Sequence, residues 1–320
     1  MKAMGVTGPD FMPRLFDVDE PFVAPDGVVV DVIAASVNDF DRAAVRGRYL
    51  AALAPDVFPV ASLAPHQFAP ILLGRDFVGR VAAVGDDVAY VDVGMYVAGA
   101  LTPQPAGQPG TFTDRVAVPA RLLAPIPDGV DLVEAAAVGL AGVTASHAVD
   151  ALGPANLGHM VVHGPVSGVG GFALQLAKAR GAVVAAITPQ EQAELALALG
   201  ADVVIPDGPS AARSIDKVQS LFGGGVDTAI HVAGHRSVVA GVVRQGGRFT
   251  SVADGPVFDA HGGFVPTTVA PNGQELMNLL FKVAAHRLDS HVHRTVSFDQ
   301  LAGAVIARST ADGGRVVLVR

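Results

Sequence analysis

Residues Met160 to Arg180 read MVVHGPVSGVGGFALQLAKAR. A short apolar run, Met160 to Val162, delivers the chain to a glycine-rich turn, Gly164 to Gly171, which opens into Phe172, Ala173, Leu174, Leu176 and Ala177, apolar at helical spacing. That order reads as strand, tight turn, helix. Absent side chains let backbone N–H groups approach a ligand, and the helix N-terminus adds partial positive charge. Such a site suits a pyrophosphate.

Working outward, Gly168-x-Gly170-x-x-Ala173 fits the dinucleotide fingerprint. Ala182 to Ile187 is a second apolar run, Gln192 to Leu199 a second helix, and Asp202 to Ile205 a third strand, a β-α-β-α-β series. Gly164, Ser167, Gly168, Val169 and Gly170 are therefore candidate cofactor contacts; the competing reading is a structural turn that binds nothing. The alternation continues with a helix at Ala211 to Leu221, a strand at Val226 to Ile230, a helix at Ser237 to Val243 and a strand at Arg248 to Val252. Ala233-Gly234 and Ser251-Val252 fall at the carboxyl ends of strands, where α/β sheets bind ligands. A Gly/Pro-rich crossing, Asp254 to Asn272, ends the series.

From Met1 to about Arg121 the pattern predicts an all-β domain. Val28 to Ala35 and Phe77 to Val84 read as strands, Val88 to Val97 as a turn with two short strands, and Phe112 to Val118 as a strand of mixed faces. Leu50 to Pro70 carries several prolines and no clean period, and reads as a long loop or lid. Leu132 to Leu152 reads as a helix broken at Gly139 and Gly142, with Asp131 as N-cap. Near the end, Gln274 to Arg287 and Phe298 to Arg308 read as helices, and Val292 to Val296 and Arg315 to Val319 as strands. The last strand needs a sheet, which makes the nucleotide domain an insertion into the first.

Composition removes several function classes. A 320-residue chain with 50% hydrophobic and 16% charged residues can bury two cores and leaves little for a disordered tail. Its charge of −8, with 22 scattered Lys and Arg, argues against a nucleic-acid groove. No apolar run is long enough to predict a membrane span, and Met1 to Asp10 lacks a basic-then-apolar leader, so a cytoplasmic location without membrane association is expected. The absence of cysteine removes disulfides, thiolate nucleophiles and every cysteine-based zinc site. His291-x-His293 is the best local pair of metal-type ligands, two imidazoles on one strand face, but no third ligand accompanies it and no metal site is expected.

These residues carry a family resemblance. Asn38 with Asp41, Gly47-x-Tyr49, Gly74-x-Asp76-x-x-Gly79, Gly142-x-Thr144-Ala145, the turn from Val162 to Lys178, Leu199-Gly200-Ala201-Asp202, Gly246-Gly247-Arg248 and Gly314-Arg315-Val316 occur in family order across the chain. The chain resembles a zinc-independent medium-chain dehydrogenase/reductase of the quinone oxidoreductase-like kind. The resemblance implies an α/β fold in which a Rossmann doubly wound parallel sheet (125–263) is inserted into a GroES-like, partly open β-barrel domain (1–124 and 264–320). It also implies a nicotinamide cleft between the two and a homodimer. The implied chemistry is hydride transfer from NADPH to a quinone, an activated C=C bond or a carbonyl of a small apolar substrate. Where zinc-dependent relatives carry Gly-His-Glu, this chain reads Gly74-Arg75-Asp76.

Hydride transfer to such an acceptor builds negative charge on its oxygen, which needs a donor. The resemblance offers Tyr49 and Asn38, with Tyr49 as proton donor, as pocket wall or as a structural residue. Where family members often place a second aromatic between the two, this chain has Ala43, which widens the pocket. By the same resemblance Thr144 approaches the nicotinamide carboxamide or the phosphates. Asp76 reads more readily as a cap of backbone N–H groups than as a general base, and His163 as a satisfied structural histidine. In the phosphate turn Pro165 removes an N–H, while Ser167 can return a hydroxyl donor. At the end of the second nucleotide strand stand Thr188, Pro189 and Gln190, with no acid to hold ribose hydroxyls. Gln192 replaces the lysine of NADP-using relatives, and Glu191 beside it would repel a 2′-phosphate. NADP(H) is favoured, with NAD(H) as the alternative. The rival function is a non-catalytic NADP(H)-binding sensor or accessory protein of the same fold, and an enoyl-reducing biosynthetic step is a third.

Overall fold

The computed structural model describes residues 1–8, 10–47, 70–102, 109–153, 157–208, 210–234, 237–253, 263–307 and 314–320. The chain divides into two units, one of Met1–Leu140, Ala270–Arg308 and Arg315–Arg320, the other of Ala141–Val269 and Ser309–Gly314.

The first unit opens with β1 (Lys2–Val6), β2 (Arg14–Asp17), β3 (Gly27–Ser36), helix α1 (Asp39–Val45), β4 (Ile71–Leu72), β5 (Asp76–Val84), β6 (Tyr96–Ala100), β7 (Arg115–Pro119) and β8 (Leu123–Pro125). A small sheet runs β2-β1-β4. The larger one is built on β3, GVVVDVIAAS, whose residues are mostly buried on both faces and which pairs antiparallel with β5 and with β7. Val28, Val30, Val32, Phe77, Val81, Val97, Val116 and Val118 form its core. β-Branched residues at alternate positions fit that pleated, two-sided packing.

Two expectations for this region need correction. The stretch to Arg121 is not all-β, because α1 interrupts it. Half of a capping box starts that helix, with the Asn38 N–H donating to the Asp41 carboxylate at 2.9 Å, and Asn-x-x-Asp was the available signal. Val88 to Val97 yields a single strand end, since Gly94 at φ +95 turns the chain directly into β6.

Helix α2 (Leu132–Ala151) begins as expected, with Asp131 accepting from the N–H groups of Val133 and Glu134 at 2.8 and 3.2 Å. Its backbone breaks at Gly139 (φ −9, ψ −118), while Gly142 stays helical. At 20 residues α2 is long and apolar enough to cross a membrane by composition, contrary to expectation. The burial of 72% of its apolar window inside the protein identifies it as a core helix.

The second unit alternates β9 (His159–His163), α3 (Gly168–Ala179), β10 (Val183–Thr188), α4 (Ala193–Ala198), β11 (Val203–Pro206), α5 (Ala211–Leu221), β12 (Val226–His231), α6 (Ser237–Val242) and β13 (Val243–Ser251). All five strands are parallel, in the order β11-β10-β9-β12-β13. Strands buried on both faces read as near-continuous apolar runs, as Met160–Val162 and Val184–Ile187 do. The chain steps outward from β9 to β10 and β11, then returns to β12 on the other side of β9, so the strand order reverses beside β9. Ligands of open α/β sheets bind outside the carboxyl ends at such a reversal.

The chain then forms α7 (Gly273–Ala284), β14 (Val292–Val296), α8 (Leu301–Ile306) and β15 (Arg315–Val319). β15 joins the first unit, antiparallel to β3 through Val317↔Ser36, Leu318↔Ala35 and Val319↔Ala34, as its apolar sequence required. The helix expected from Phe298 is a 3₁₀ turn, Phe298–Gln300, before α8 begins. His291 has φ +47 and precedes β14, so it does not share a strand face with His293.

Candidate functional site

At the carboxyl edge of the parallel sheet Ile205, Ile187, His163, His231 and Ser251 stand in register across the five strands, and Thr188 and Pro206 pair one residue further on. After His163 the chain turns at Gly164, at φ +87, where a Cβ would come within 2.9 Å of the Ala233 backbone nitrogen. A Cβ on Gly170 would overlap the Gly164 carbonyl oxygen. Both positions therefore require glycine, one for its conformation and the other for close backbone approach.

Ser167 caps α3, accepting from the Gly170 N–H at 3.0 Å while its hydroxyl donates to the Gly164 carbonyl at 3.0 Å. The sequence offers Ser167 as a hydroxyl donor to a phosphate; in this structure that hydroxyl hydrogen serves the turn. The N–H of Gly171 goes back to the Ser167 carbonyl. The N–H groups of Gly168 and Val169 have no backbone acceptor among the described residues, and they stand at the positive end of a 12-residue helix. The turn fits an anion through these two groups rather than through side chains.

Around this turn the edge is hydrogen-bonded. Thr188 is buried and its hydroxyl donates to Gln192 Oε1 at 2.9 Å. Ala233 donates its N–H to the His163 carbonyl, Gly234 follows at φ +88, and Val252 donates to the His231 carbonyl. Ser251 Oγ lies 3.0 Å from His231 Nδ1. His163 is buried, with Nε2 3.2 Å from an oxygen of Asp207. The structure thus gathers Gly164, Ser167, Gly168, Val169, Gly170, Thr188, Gln192, Ala233, Gly234, Ser251 and Val252 at one sheet edge. Thr144 lies in α2, five residues past the Gly139 break, with 9% of its surface exposed.

The first unit holds a second polar cluster, whose central carboxylate has both oxygens partnered. Asp76 is fully buried; it accepts from the Ser36 N–H (2.8 Å) and hydroxyl (2.7 Å), the Asn38 amide (3.0 Å) and the Leu140 N–H (3.1 Å). A Cβ at Gly139 would overlap that of Asp76, so the helix break both admits the carboxylate and frees the Leu140 N–H to reach it. Arg315, also buried, donates to Ser36 Oγ and to Asn38 Oδ1 and lies 3.8 Å from the Asp76 carboxylate; burial lowers its pKa. Asp76 thus ties together backbone and side-chain donors, as a cap does.

Asn38 spends both amide hydrogens here, on the Ser36 carbonyl and on Asp76, and has none in this arrangement for a substrate oxygen. Neighbouring Asp41 accepts from the N–H groups of Asn38 and Gly74. Burial pushes its pKa up to about 6, against the opposing pull of those two N–H groups. Tyr49 and the stretch from Leu50 to residue 69 lie outside the described residues.

Sequence reasoning gave no site role to Arg315, Asp207 or His231. Arg315 was legible as a lone cation opening an otherwise apolar strand, RVVLV. Asp207 and His231 follow or end strands of the parallel sheet, and their position at a strand end was the available signal.

The comparisons with known proteins agree with this geometry. Residues 24–128 match the alcohol dehydrogenase GroES-like domain and residues 168–270 the family described as zinc-binding dehydrogenase. The chain belongs to the medium-chain dehydrogenase/reductase family, with a GroES-like domain and a Rossmann-like dinucleotide-binding domain. Within it, the resemblance is to the quinone oxidoreductase-like members.

The phthioceranic/hydroxyphthioceranic acid synthase of Mycobacterium tuberculosis is 32% identical over 252 residues, covering 76% of this chain and 11% of that protein. Human mitochondrial NAD(P)H oxidoreductase RTN4IP1 is 33% identical over 186 residues, covering 57% and 46%. The chain therefore spans less than half the length of either relative. The quinone oxidoreductase of Coxiella burnetii shares the fold at a TM-score of 0.80 and 24% identity, over 100% of this chain and 99% of that one. The donor set does not fit a zinc ion of the cysteine-ligated kind, and among the described residues no three His, Asp or Glu side chains gather as a metal site.

Proposed function

We propose that this protein is a zinc-independent oxidoreductase that transfers hydride between a nicotinamide dinucleotide and a small apolar acceptor, a quinone, an activated C=C bond or a carbonyl. The observation that carries the reading is the edge just described: a glycine turn closed to any side chain, two helix N–H groups with no backbone acceptor among the described residues, and strand-end residues in register at the reversal of the sheet. When bound, the dinucleotide supplies the hydride. Gly168 and Val169 would hold its pyrophosphate, and Gly164 and Gly170 keep the backbone free of side chains there. Thr188, Ala233-Gly234 and Ser251-Val252 line the same edge. Because Asn38 has no amide hydrogen to spare, Tyr49 or water is the donor to the acceptor's oxygen.

One observation favours the sensor reading. Pro165 offers no N–H and Ser167 spends its hydroxyl on the cap, so the phosphate turn holds fewer donors than its glycine content implies. The two readings separate on turnover. The chain has no Trp, so NADH and NADPH binding is read from cofactor emission, followed by oxidation with a panel of quinones, enones and aldehydes. Binding with turnover establishes the oxidoreductase; binding without turnover across the panel selects the sensor; binding of neither cofactor rejects both.

A further inference from the structure

The end of β10 carries no acid, and the sequence from Thr188 to Gly208 contains no Lys or Arg. The structure brings an acid to that place from the neighbouring strand. Asp207 follows β11, whose Pro206 stands in register with Thr188, and the Asp207 N–H donates to the Thr188 carbonyl at 2.8 Å. Its backbone is thereby fixed to the end of β10. Its side chain reaches across that strand end, with Oδ2 3.2 Å from His163 Nε2 at the end of β9.

The imidazole of His163 is itself backed by that of His231, with ring centroids 5.5 Å apart, and His231 by Ser251. Gly234 is what permits this arrangement: a Cβ there would overlap His163 Nε2 and come within 2.9 Å of Asp207 Oδ2. One carboxylate oxygen is thus positioned by a built network. The other, Oδ1, is buried and has no hydrogen-bond partner among the described residues. A buried carboxylate oxygen without a donor is costly, and such an exception calls for a cause.

We propose that Asp207 reads the adenosine ribose of the bound dinucleotide, with Oδ1 accepting from a ribose hydroxyl, and so selects NADH over NADPH. This rests on the nicotinamide reading above. An ionised carboxylate only accepts, so it complements a ribose hydroxyl, which can donate, and repels a 2′-phosphate, which at neutral pH is an anion. With no cation between residues 188 and 208 and with Glu191 in the same stretch, nothing there offsets that repulsion. The acid missing from β10 is in effect supplied by β11, which reverses the NADP(H) preference drawn from the end of β10 alone.

The test is titration of NADH and NADPH, read by cofactor emission, against the wild-type chain and the Asp207→Ser and Asp207→Asn variants, with thermal unfolding of each. The wild type is expected to bind NADH at least tenfold more tightly than NADPH. Asp207→Ser is expected to bring the ratio of dissociation constants towards unity, chiefly by weakening NADH. Asp207→Asn, which keeps the volume and removes the charge, is expected to strengthen NADPH. A general structural role would weaken both cofactors alike and leave their ratio unmoved. Preference of the wild type for NADPH, or an unchanged ratio in a variant that still binds, overturns the assignment while leaving the nicotinamide reading intact. Should a variant fail to fold, the wild-type ratio alone decides. Binding of neither cofactor by the wild type removes the nicotinamide reading and this assignment with it.

Discussion

The molecule holds two polar clusters around aspartates, and they differ in what is left over. In the first unit, Asp76 meets Ser36, Asn38, Leu140 and Arg315. In the second, the sheet edge leaves the N–H groups of Gly168 and Val169 and one oxygen of Asp207 without protein partners among the described residues. A carboxylate whose two oxygens are both met by the protein serves the fold, and one with an oxygen to spare can serve a ligand. The distinction assigns Asp76 to architecture although its Gly-x-Asp-x-x-Gly setting occupies the place where zinc-dependent relatives keep their metal motif.

The most severe break in the first of these clusters is Asp76→Ala. It leaves the N–H groups of Ser36 and Leu140 without their acceptor and Arg315 buried without its counter-charge, and the expected loss is about 3–5 kcal/mol in urea unfolding. A loss under about 1 kcal/mol would show that the cluster is dispensable.

Asp41 tests the same region through pH. Its folded pKa of about 6 lies above the ordinary aspartate value of 3.8. The folded state therefore holds the proton more tightly than the unfolded state. The stabilisation is fully present below about pH 3.8 and is lost as pH rises through 6, on the order of 3 kcal/mol in total. Asp41→Asn cannot ionise, so its stability relative to wild type should rise by that amount between about pH 3.5 and 7.5, on top of a fixed cost of about 1 kcal/mol for one mismatched hydrogen bond. A pH-independent difference would contradict the raised pKa.

On the open edge the expected order is reversed, with function suffering more than stability. Gly170→Ala forces a methyl group against the Gly164 carbonyl, at about 1–3 kcal/mol of strain. Cofactor binding should fall by more than tenfold, because the N–H groups beside the turn are displaced. Retention of wild-type affinity would remove the turn from the site. Ser167→Ala takes away the cap of α3 for about 1 kcal/mol and should change cofactor affinity little, since its hydroxyl donates to Gly164 rather than outward. A large loss of affinity with unchanged stability would return Ser167 to the phosphate.

The parallel sheet was legible because burial on both faces writes uninterrupted apolar runs, and each run from Met160 to Ile230 became a strand shifted by at most a residue or so. The glycine turn was legible for a related reason, since Gly164 and Gly170 are demanded by backbone geometry that nothing but glycine meets. Antiparallel edges are quieter: β2, β4 and β8, which end their sheets, have only two to four residues each. Polar partners were the least legible. Asp207 reaches His163 across an intervening strand, and Arg315 meets Ser36 from a strand that pairs only late in the sequence, and no local pattern encodes either meeting. The second hydrogen of the Asn38 amide shows the limit of motif reasoning, because the motif supplies the residue and the fold decides what remains for it to donate.

The pairing of β15 with β3 carries a consequence for synthesis. Arg315 leaves the ribosome 279 residues after Ser36, which at ~5–20 residues per second is a wait of roughly 15–55 s. Throughout that interval one edge of β3 near Ser36 has no β15 beside it and the Asp76 carboxylate has no guanidinium, whereas all five strands of the parallel sheet have been made once Ser251 is synthesised, 64 residues before Arg315. Late in synthesis the nascent chain is thus expected to carry a parallel sheet with all its strands beside a first unit that still lacks one.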